Sequence, residues 1–248
     1  MARADADVER MQVIEQAYQR SHRTYGYRRI TYWLRCERSF VMNHKAVLRL
    51  MQKMGIRSIA RKRKVYRRLA DSPQDHRYPN LLNRDFAATQ PNQKWVTDVT
   101  WIQTRQGTVY LSVIKDLYDG FIVAHAASSQ NLVELVTTTL QRALRGHSRM
   151  IGLALHSDQG HPYCSRAYFL TTRQAQITPS MSRRGNCWDN APMENFFGHL
   201  KEEAIRPLKL ETIQQAKEVI DEYIHFYNYE RIQLKTKLTP YELRCQSV

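Results

Sequence analysis

The sequence predicts a mixed α/β protein: a five-stranded sheet with helices on both faces, preceded by a small all-α unit of helix-turn-helix type. Three observations carry that expectation. Residues 94–128 hold three segments rich in β-branched and aromatic residues, separated by glycine-bearing turns. After them, stretches of helical and strand character alternate up to residue 230. Before them, residues 1–60 show helical periodicity alone.

In the front unit, "DVERMQVIEQAYQR" places Val8, Met11, Ile14 and Tyr18 on one helical stripe, and "TYGYRRITYWL" places Tyr27, Ile30 and Leu34 on another. "NHKAVLRLMQKMG" is the clearest helix there. Asn43 suits an N-cap, Val47, Leu50, Met51 and Met54 follow helical spacing, and Gly55 is a stop. That helix turns Lys45, Arg49 and Lys53 outward, as a helix entering a DNA groove would. An ordinary helical bundle with a solvated basic face has the same pattern. "RSIARKRKVYRR" follows, with seven basic residues in twelve. Its Arg61, Lys62, Arg63 and Lys64 open a basic linker, residues 61–90, suited to non-specific phosphate contact. Pro73, Pro79 and Pro91 punctuate its end.

The main domain spans 91–230. "KWVTDVTWIQT", "TVYLSVIKDL" and "FIVAHAAS" read as antiparallel strands joined by turns at Arg105-Gln106-Gly107 and Asp119-Gly120. "NLVELVTTTLQRALRG" is a helix stopped by Gly146, "IGLALHSD" a short buried strand, "SRAYFLTTRQAQ" a helix and "ITPS" a fifth strand. "APMENFFGHLKEEA" is another helix, after a Gly/Asn/Asp-rich loop. The last helix starts at Thr212, in a capping box with Gln215, and turns Ile213, Ala216, Ile220, Tyr223 and Tyr227 inward. Residues 231–248 form a tail.

Charge divides the chain in the same place. Residues 1–90 carry 20 basic and 8 acidic side chains, net +12, and residues 91–248 carry 18 and 15, net +3. A basic front on a near-neutral body suggests a polyanion-binding module joined to something else. The four cysteines form no CxxC, so a zinc site is not expected. No apolar run approaches the roughly 20 residues of a membrane span, and the charged N-terminus is unlike a signal peptide. A cytoplasmic compartment with reduced thiols is expected.

Three acids stand out by context. Asp98 sits among Val, Trp and Thr in the middle of the first strand, costly unless a cation or hydrogen bonds compensate it. Asp158 ends the fourth strand, where open sheets present ligand sites. Glu194 lies in the first turn of the helix after "CWDNAP". Spacing does not select them, because Asp98 and Glu134 have the same separation as Asp158 and Glu194. Glu134, in "NLVELV", reads as an ordinary first-turn acid. Three hard oxygen ligands suit Mg²⁺ or Mn²⁺, and two such ions about 3.5–4 Å apart serve phosphodiester chemistry. The alternative is three acids paired separately with Lys or Arg. Lys201, seven residues after Glu194, extends the same helical face with a cation suited to substrate phosphate. An ordinary helix-surface lysine has the same pattern and, taken alone, is the better reading.

"WVTDVTW", "LHSDQG", "SMSRRGNCWDNAPMENFFGHLKEE" and "YNYERIQLKTKLTPYEL" together resemble the OrfB-type transposases of bacterial insertion sequences, whose core is similar to that of retroviral integrases. The resemblance implies an RNase H-like fold and a DDE triad at Asp98, Asp158 and Glu194 holding Mg²⁺ or Mn²⁺, as two ions. It also implies a basic residue at Lys201 and an N-terminal helix-turn-helix. The expected activity is cleavage and strand transfer at insertion-sequence ends, by water or a DNA 3′-OH. The expected partners are double-stranded DNA (terminal repeats and target), further copies of the chain on DNA, and an upstream-frame product or fusion. The expected setting is the bacterial nucleoid. A non-catalytic DNA-binding repressor and a plain RNase H-type nuclease are the alternatives. This chain departs from the family's usual residues at Asp119-Gly120, at His161-Pro162-Tyr163-Cys164 and at Gln233, none of them in the triad. Two local expectations complete the reading. Gly160 permits a sharp turn through backbone angles other residues resist. The "SRRGNCWDN" loop is mobile without DNA and brings Arg183 and Arg184 to phosphate.

Overall fold

The computed structural model describes residues 2–59, 76–130, 132–145 and 150–246. They form two compact units, Met1–Lys62 with Arg231–Thr239, and Arg63–Glu230 with Pro240–Val248.

The first unit is all helical: α1 (Ala2–Arg20), α2 (Tyr27–Glu37) and α3 (His44–Lys53). Its buried stripe runs through Ile14, Ala17, Ile30, Leu34, Val47 and Leu50. Val8 does not join it; that side chain is 53% exposed, and Ala17 turns inward instead. Asn43 caps α3 by accepting the Lys45 N–H at 2.9 Å. Gly55, at φ +69°, ends the helix in the left-handed region that glycine enters without a steric penalty. Residues 231–239 belong to this unit through particular bonds. The Ile232 N–H donates to the Tyr25 hydroxyl at 2.8 Å, Arg29 Nε donates to the Ile232 carbonyl at 3.1 Å, and Lys237 lies 5.5 Å over the Tyr32 ring.

The second unit is built on a sheet of order β3-β2-β1-β4-β5. The strands are β1 (Lys94–Thr104), β2 (Gly107–Asp116), β3 (Ile122–Ser128), β4 (Ala154–Ser157) and β5 (Thr178–Met181). The first three are antiparallel hairpin neighbours, while β4 and β5 run parallel to β1. On one face, α4 (Leu132–Ala143) and α5 (Arg166–Gln174) close a core of Trp95, Ile114, Val136, Leu140, Leu155 and Tyr168. On the other lie α6 (Ala191–Leu200), a π-helical turn at Lys201–Ile205, and α7 (Ile213–Tyr229). There Phe196 meets Tyr227 edge-on at 4.9 Å, and Lys115 of β2 donates to the Tyr227 hydroxyl at 3.2 Å. The Thr212–Gln215 capping box opens α7 as the sequence predicts. A short α8 (Pro240–Cys245), which sequence periodicity did not reveal, is fastened by Arg244 to the buried Asp116 and Asp119, at 2.7 Å each.

Candidate active site

Strand register brings two of the three acids together. Val96 pairs with His156 across the parallel β1–β4 ladder. Carried two residues further, that register sets Asp98 beside Asp158, on neighbouring strands whose backbones lie about 4.8 Å apart. Asp158 is the first residue beyond β4, where the sheet opens. By strand alternation Asp98 shares its face with Val96 and with its partner Val113, the face of Lys115 and therefore of the α6–α7 layer. Glu194 enters from the first turn of α6. The start of that helix is tied to β1 one residue before Asp98, because Asn190 Nδ2 donates to the Thr97 carbonyl at 3.2 Å.

All three acids are part-exposed. Burial lifts the Asp98 carboxyl well above the usual carboxylate range, the negative charges of Asp158 and Glu194 add to the rise, and the Lys201 ammonium opposes it. Burial raises Asp158 too, against the 2.9 Å bond it accepts from the Gly160 N–H. Gly160 itself sits at φ −63°, ψ 146°, angles open to any residue. The expectation of an unusual backbone is therefore corrected. Glycine is needed there for space, since a Cβ would stand 2.8 Å from Asp158 Oδ1.

These residues suit a divalent cation in donor chemistry: hard oxygens, open to solvent on one side, with like charges pressed together. A further oxygen donor is at hand, for the buried Asn190 Oδ1 has no hydrogen-bond partner. Among the described residues, however, no three His, Cys, Asp or Glu side chains are gathered closely enough to cage an ion. Lys201 begins the π-helical turn after α6, and its ammonium lies 5.2 Å over the ring of Trp101. Such turns inside helices recur at functional sites.

The loop before Glu194 is braced. Asp189 is fully buried and takes five donors: Asn80 Nδ2 at 3.0 Å, Arg84 Nε at 2.9 Å, and the backbone N, Nε and Nη2 of Arg183 at 2.9–3.0 Å. Hydrogen bonding from Arg183 first, then from Arg84, holds the Asp189 carboxyl far below its ordinary value. Next to it, His156 bridges Ser180 at 2.8 Å and Ser182 at 3.0 Å, and burial lowers its pKa to about 4, so it is neutral. The loop expected to be mobile thus has internal fastenings, and Arg183 spends much of its guanidinium on Asp189.

Arg183 and Arg184 are both exposed. In the first unit Lys45 and Arg49 are exposed on α3, with Arg49 Nη2 3.2 Å from the Asp7 carboxylate. Arg61, Lys62, Arg63 and Lys64 lie outside the described residues. Glu134 is exposed in the first turn of α4. Sequence reasoning missed Asn190, Asp189 and Trp101. An isolated Asn or Asp in a polar loop carries no periodicity to mark its burial, and a Trp in a strand reads as core until its exposure is known.

Comparison with known proteins agrees with this architecture. An HTH-like domain matches residues 4–64, and the integrase core domain matches residues 88–187 and 194–248 in two segments. A transposase-like protein of Haemophilus influenzae is 42% identical over 84% of this chain and 95% of its own length. The transposase for insertion sequence element IS904 of Lactococcus lactis is 39% identical over 84% of this chain and 82% of its own. Transposase InsF for insertion sequence IS3A of Escherichia coli is 35% identical over 78% of this chain and 66% of its own. Among solved structures, a simian T-cell lymphotropic virus intasome in complex with the PP2A regulatory subunit B56 gamma matches with a TM-score of 0.54. That match has 15% identity and covers 93% of this chain and 74% of that one. The HTLV-2 integrase catalytic core in complex with magnesium (dimeric form) matches with a TM-score of 0.50 at 15% identity, covering 62% of this chain and 97% of that one. At such identity the likeness is one of fold, RNase H-like in the second unit.

Proposed function

The chain belongs to the insertion-sequence transposases with an integrase core, and on that premise we propose that it cuts and joins DNA at insertion-sequence ends, using Asp98, Asp158 and Glu194. What supports the proposal is the β1–β4 register, which ends at Val96–His156 and, carried two residues further, would set Asp98 beside Asp158, together with the charges of Asp158 and Glu194 acting on Asp98.

In this reading the three carboxylates hold one or two Mg²⁺ or Mn²⁺ ions, as the magnesium complex of the HTLV-2 integrase core suggests. Such ions would polarise the phosphodiester and stabilise charge on the attacking and leaving oxygens. The chain's own residues prepare that step. Burial and like charge raise the Asp98 carboxyl, and burial raises that of Asp158. A cation held there would oppose both rises, so its occupancy would depend on pH. Gly160 leaves room for the Asp158 carboxylate and orients it through its N–H. Asn190 offers its unsatisfied oxygen, and the Asp189 brace fixes the loop from which Glu194 is presented. Lys201 holds a phosphate beside the acids. Lys45 and Arg49 on α3 would read a groove of the terminal repeat, while Arg61 to Lys64 and Arg183 and Arg184 would add phosphate contacts. The intasome neighbour supports a reading in which several copies assemble on the DNA.

The test is incubation of labelled insertion-sequence ends with the chain and Mg²⁺, scoring nicked and joined products. Joined products that vanish in chelator are expected. Nicks without joining would favour a plain nuclease, and binding without either would favour a repressor.

A further inference from the structure

Trp101 is 60% exposed, an unusual position for a tryptophan in a central strand. It lies on β1 three residues beyond Asp98, about 10 Å along the strand at some 3.4 Å per residue. Alternation turns it to the other face of β1, past the Lys94–Val96 stretch where β4 covers that edge. It is also tied to the site by a cation. The Lys201 ammonium stands 5.2 Å from its ring centroid, and that same charge acts on Asp98. An open indole beside an ammonium matches the two faces of a nucleotide: the ring stacks on a base and the cation meets its phosphate.

We propose that Trp101 is a base-stacking site for the reacting DNA strand, taking an unpaired nucleobase while Lys201 holds the adjoining phosphate. Stacked nucleotides rise about 3.4 Å along a strand, so 10 Å places that base within roughly three nucleotides of the reacting phosphate. The ring face is indifferent to base identity. The stacking site therefore favours a frayed or distorted end over intact duplex without itself reading sequence. This inference rests on the strand-transfer reading.

The test uses the full chain and duplexes of the element's own terminal repeat with 2-aminopurine at each of the last few positions in turn. Binding is followed in chelator, where no turnover is required. We expect quenching at one position near the reacting phosphate, its loss in Trp101→Ala, and its retention in Trp101→Phe. In Mg²⁺, Trp101→Ala should raise KM for the end duplex about tenfold, and a substrate already frayed at that end should restore part of the loss. Trp188→Ala, which removes another exposed tryptophan (67% exposed), should leave the quench in place. An unchanged quench and KM in Trp101→Ala would overturn the proposal. So would loss of self-association by Trp101→Ala in DNA-free solution with the quench intact, because the ring would then face another copy of the chain. Failure of the strand-transfer reading looks different: no joined product from the wild type, whatever the fluorescence does.

Discussion

Asp189 and the Asp98–Asp158 pair are neighbouring solutions to one problem, a carboxylate at the edge of a protein interior. Asp189 arrives with its compensation built in, five donors from Asn80, Arg84 and Arg183, and stays ionised although fully buried. Asp98 and Asp158 are less covered, yet burial pushes their carboxyls up, and the charge of Asp158 lifts Asp98 further. Burial alone does not make the distinction. Asp116 is also raised, by burial and by the charge of Asp119, although it takes bonds from Asn92, Trp95, Tyr118 and Arg244. What sets the Asp98–Asp158 pair apart is its opening: both acids are part-exposed, whereas Asp116 is buried and bound by Arg244. An acid that serves structure is compensated from within, whereas acids gathered beside solvent are open to a cation from outside.

Substitution at the triad gives the largest expected effect. Asp98→Asn, Asp158→Asn and Glu194→Gln should each cut cleavage and joining by more than about a thousandfold, since ion-held stabilisation is worth several kcal/mol and each 1.4 kcal/mol or so is tenfold. DNA affinity, carried by the basic residues, should hold. In chelator, melting of Asp98→Asn should match or exceed the wild type because a repelled charge has been removed, and added Mg²⁺ should stabilise only the wild type. Wild-type turnover from any of the three would remove that residue from the triad.

Gly160→Ala comes next and probes how finely Asp158 must be aimed. The new methyl would stand 2.8 Å from Oδ1, so the carboxylate has to move. A roughly ten- to hundredfold fall in kcat with unchanged DNA affinity is expected. An unaltered kcat would mean that Asp158 has latitude which the close contact denies it.

Much of this was legible in the sequence, and what was not has physical reasons. The boundaries of β1, the Asn43 cap and the Thr212 capping box could be read because each leaves a local trace: alternation, an Asn before an apolar stripe, or Thr and Gln three apart. The proposed triad rests on context, because the spacing of Asp98 and Glu134 equals that of Asp158 and Glu194 and separation alone cannot choose between them. Gly160 was singled out for the wrong property, since local sequence reports that a residue lacks a Cβ but not which neighbour would meet one. The Asp189 brace joins residues 80 and 84 to 183 and 189. Contacts so distant along the chain leave no periodic mark.

Asp189 itself provides the next test, in stability rather than turnover. Its folded pKa lies below the unfolded value near 3.9, so its contribution is complete above about pH 5. That contribution is lost as pH falls through the unfolded pKa towards the folded one. Asp189→Asn should cost about 2 kcal/mol at pH 7, less than a fully buried ion pair because Arg84 and Arg183 are half exposed. The gap in melting temperature between wild type and variant should narrow below pH 4. A constant gap down to pH 2 would show that packing, not charge, does the bracing, and the contrast with Asp98 would lose its electrostatic basis.

The smallest effect belongs to Glu134, and it sharpens the comparison by its absence. Glu134 stands in the same sequence relation to Asp98 as Glu194 does to Asp158, yet it is exposed in the first turn of α4, on the opposite side of the sheet from α6. There a carboxylate meets the helix N-terminus, worth about 0.5 kcal/mol on an exposed surface. Glu134→Gln should therefore leave cleavage, joining and DNA affinity unchanged and lower stability only slightly, on the order of that value. A dead enzyme from this substitution would mean that the third acid reaches the site from the α4 layer. That would require Asp98 to face away from Lys115 and α7, against the β1–β2 register and the Lys115–Tyr227 bond.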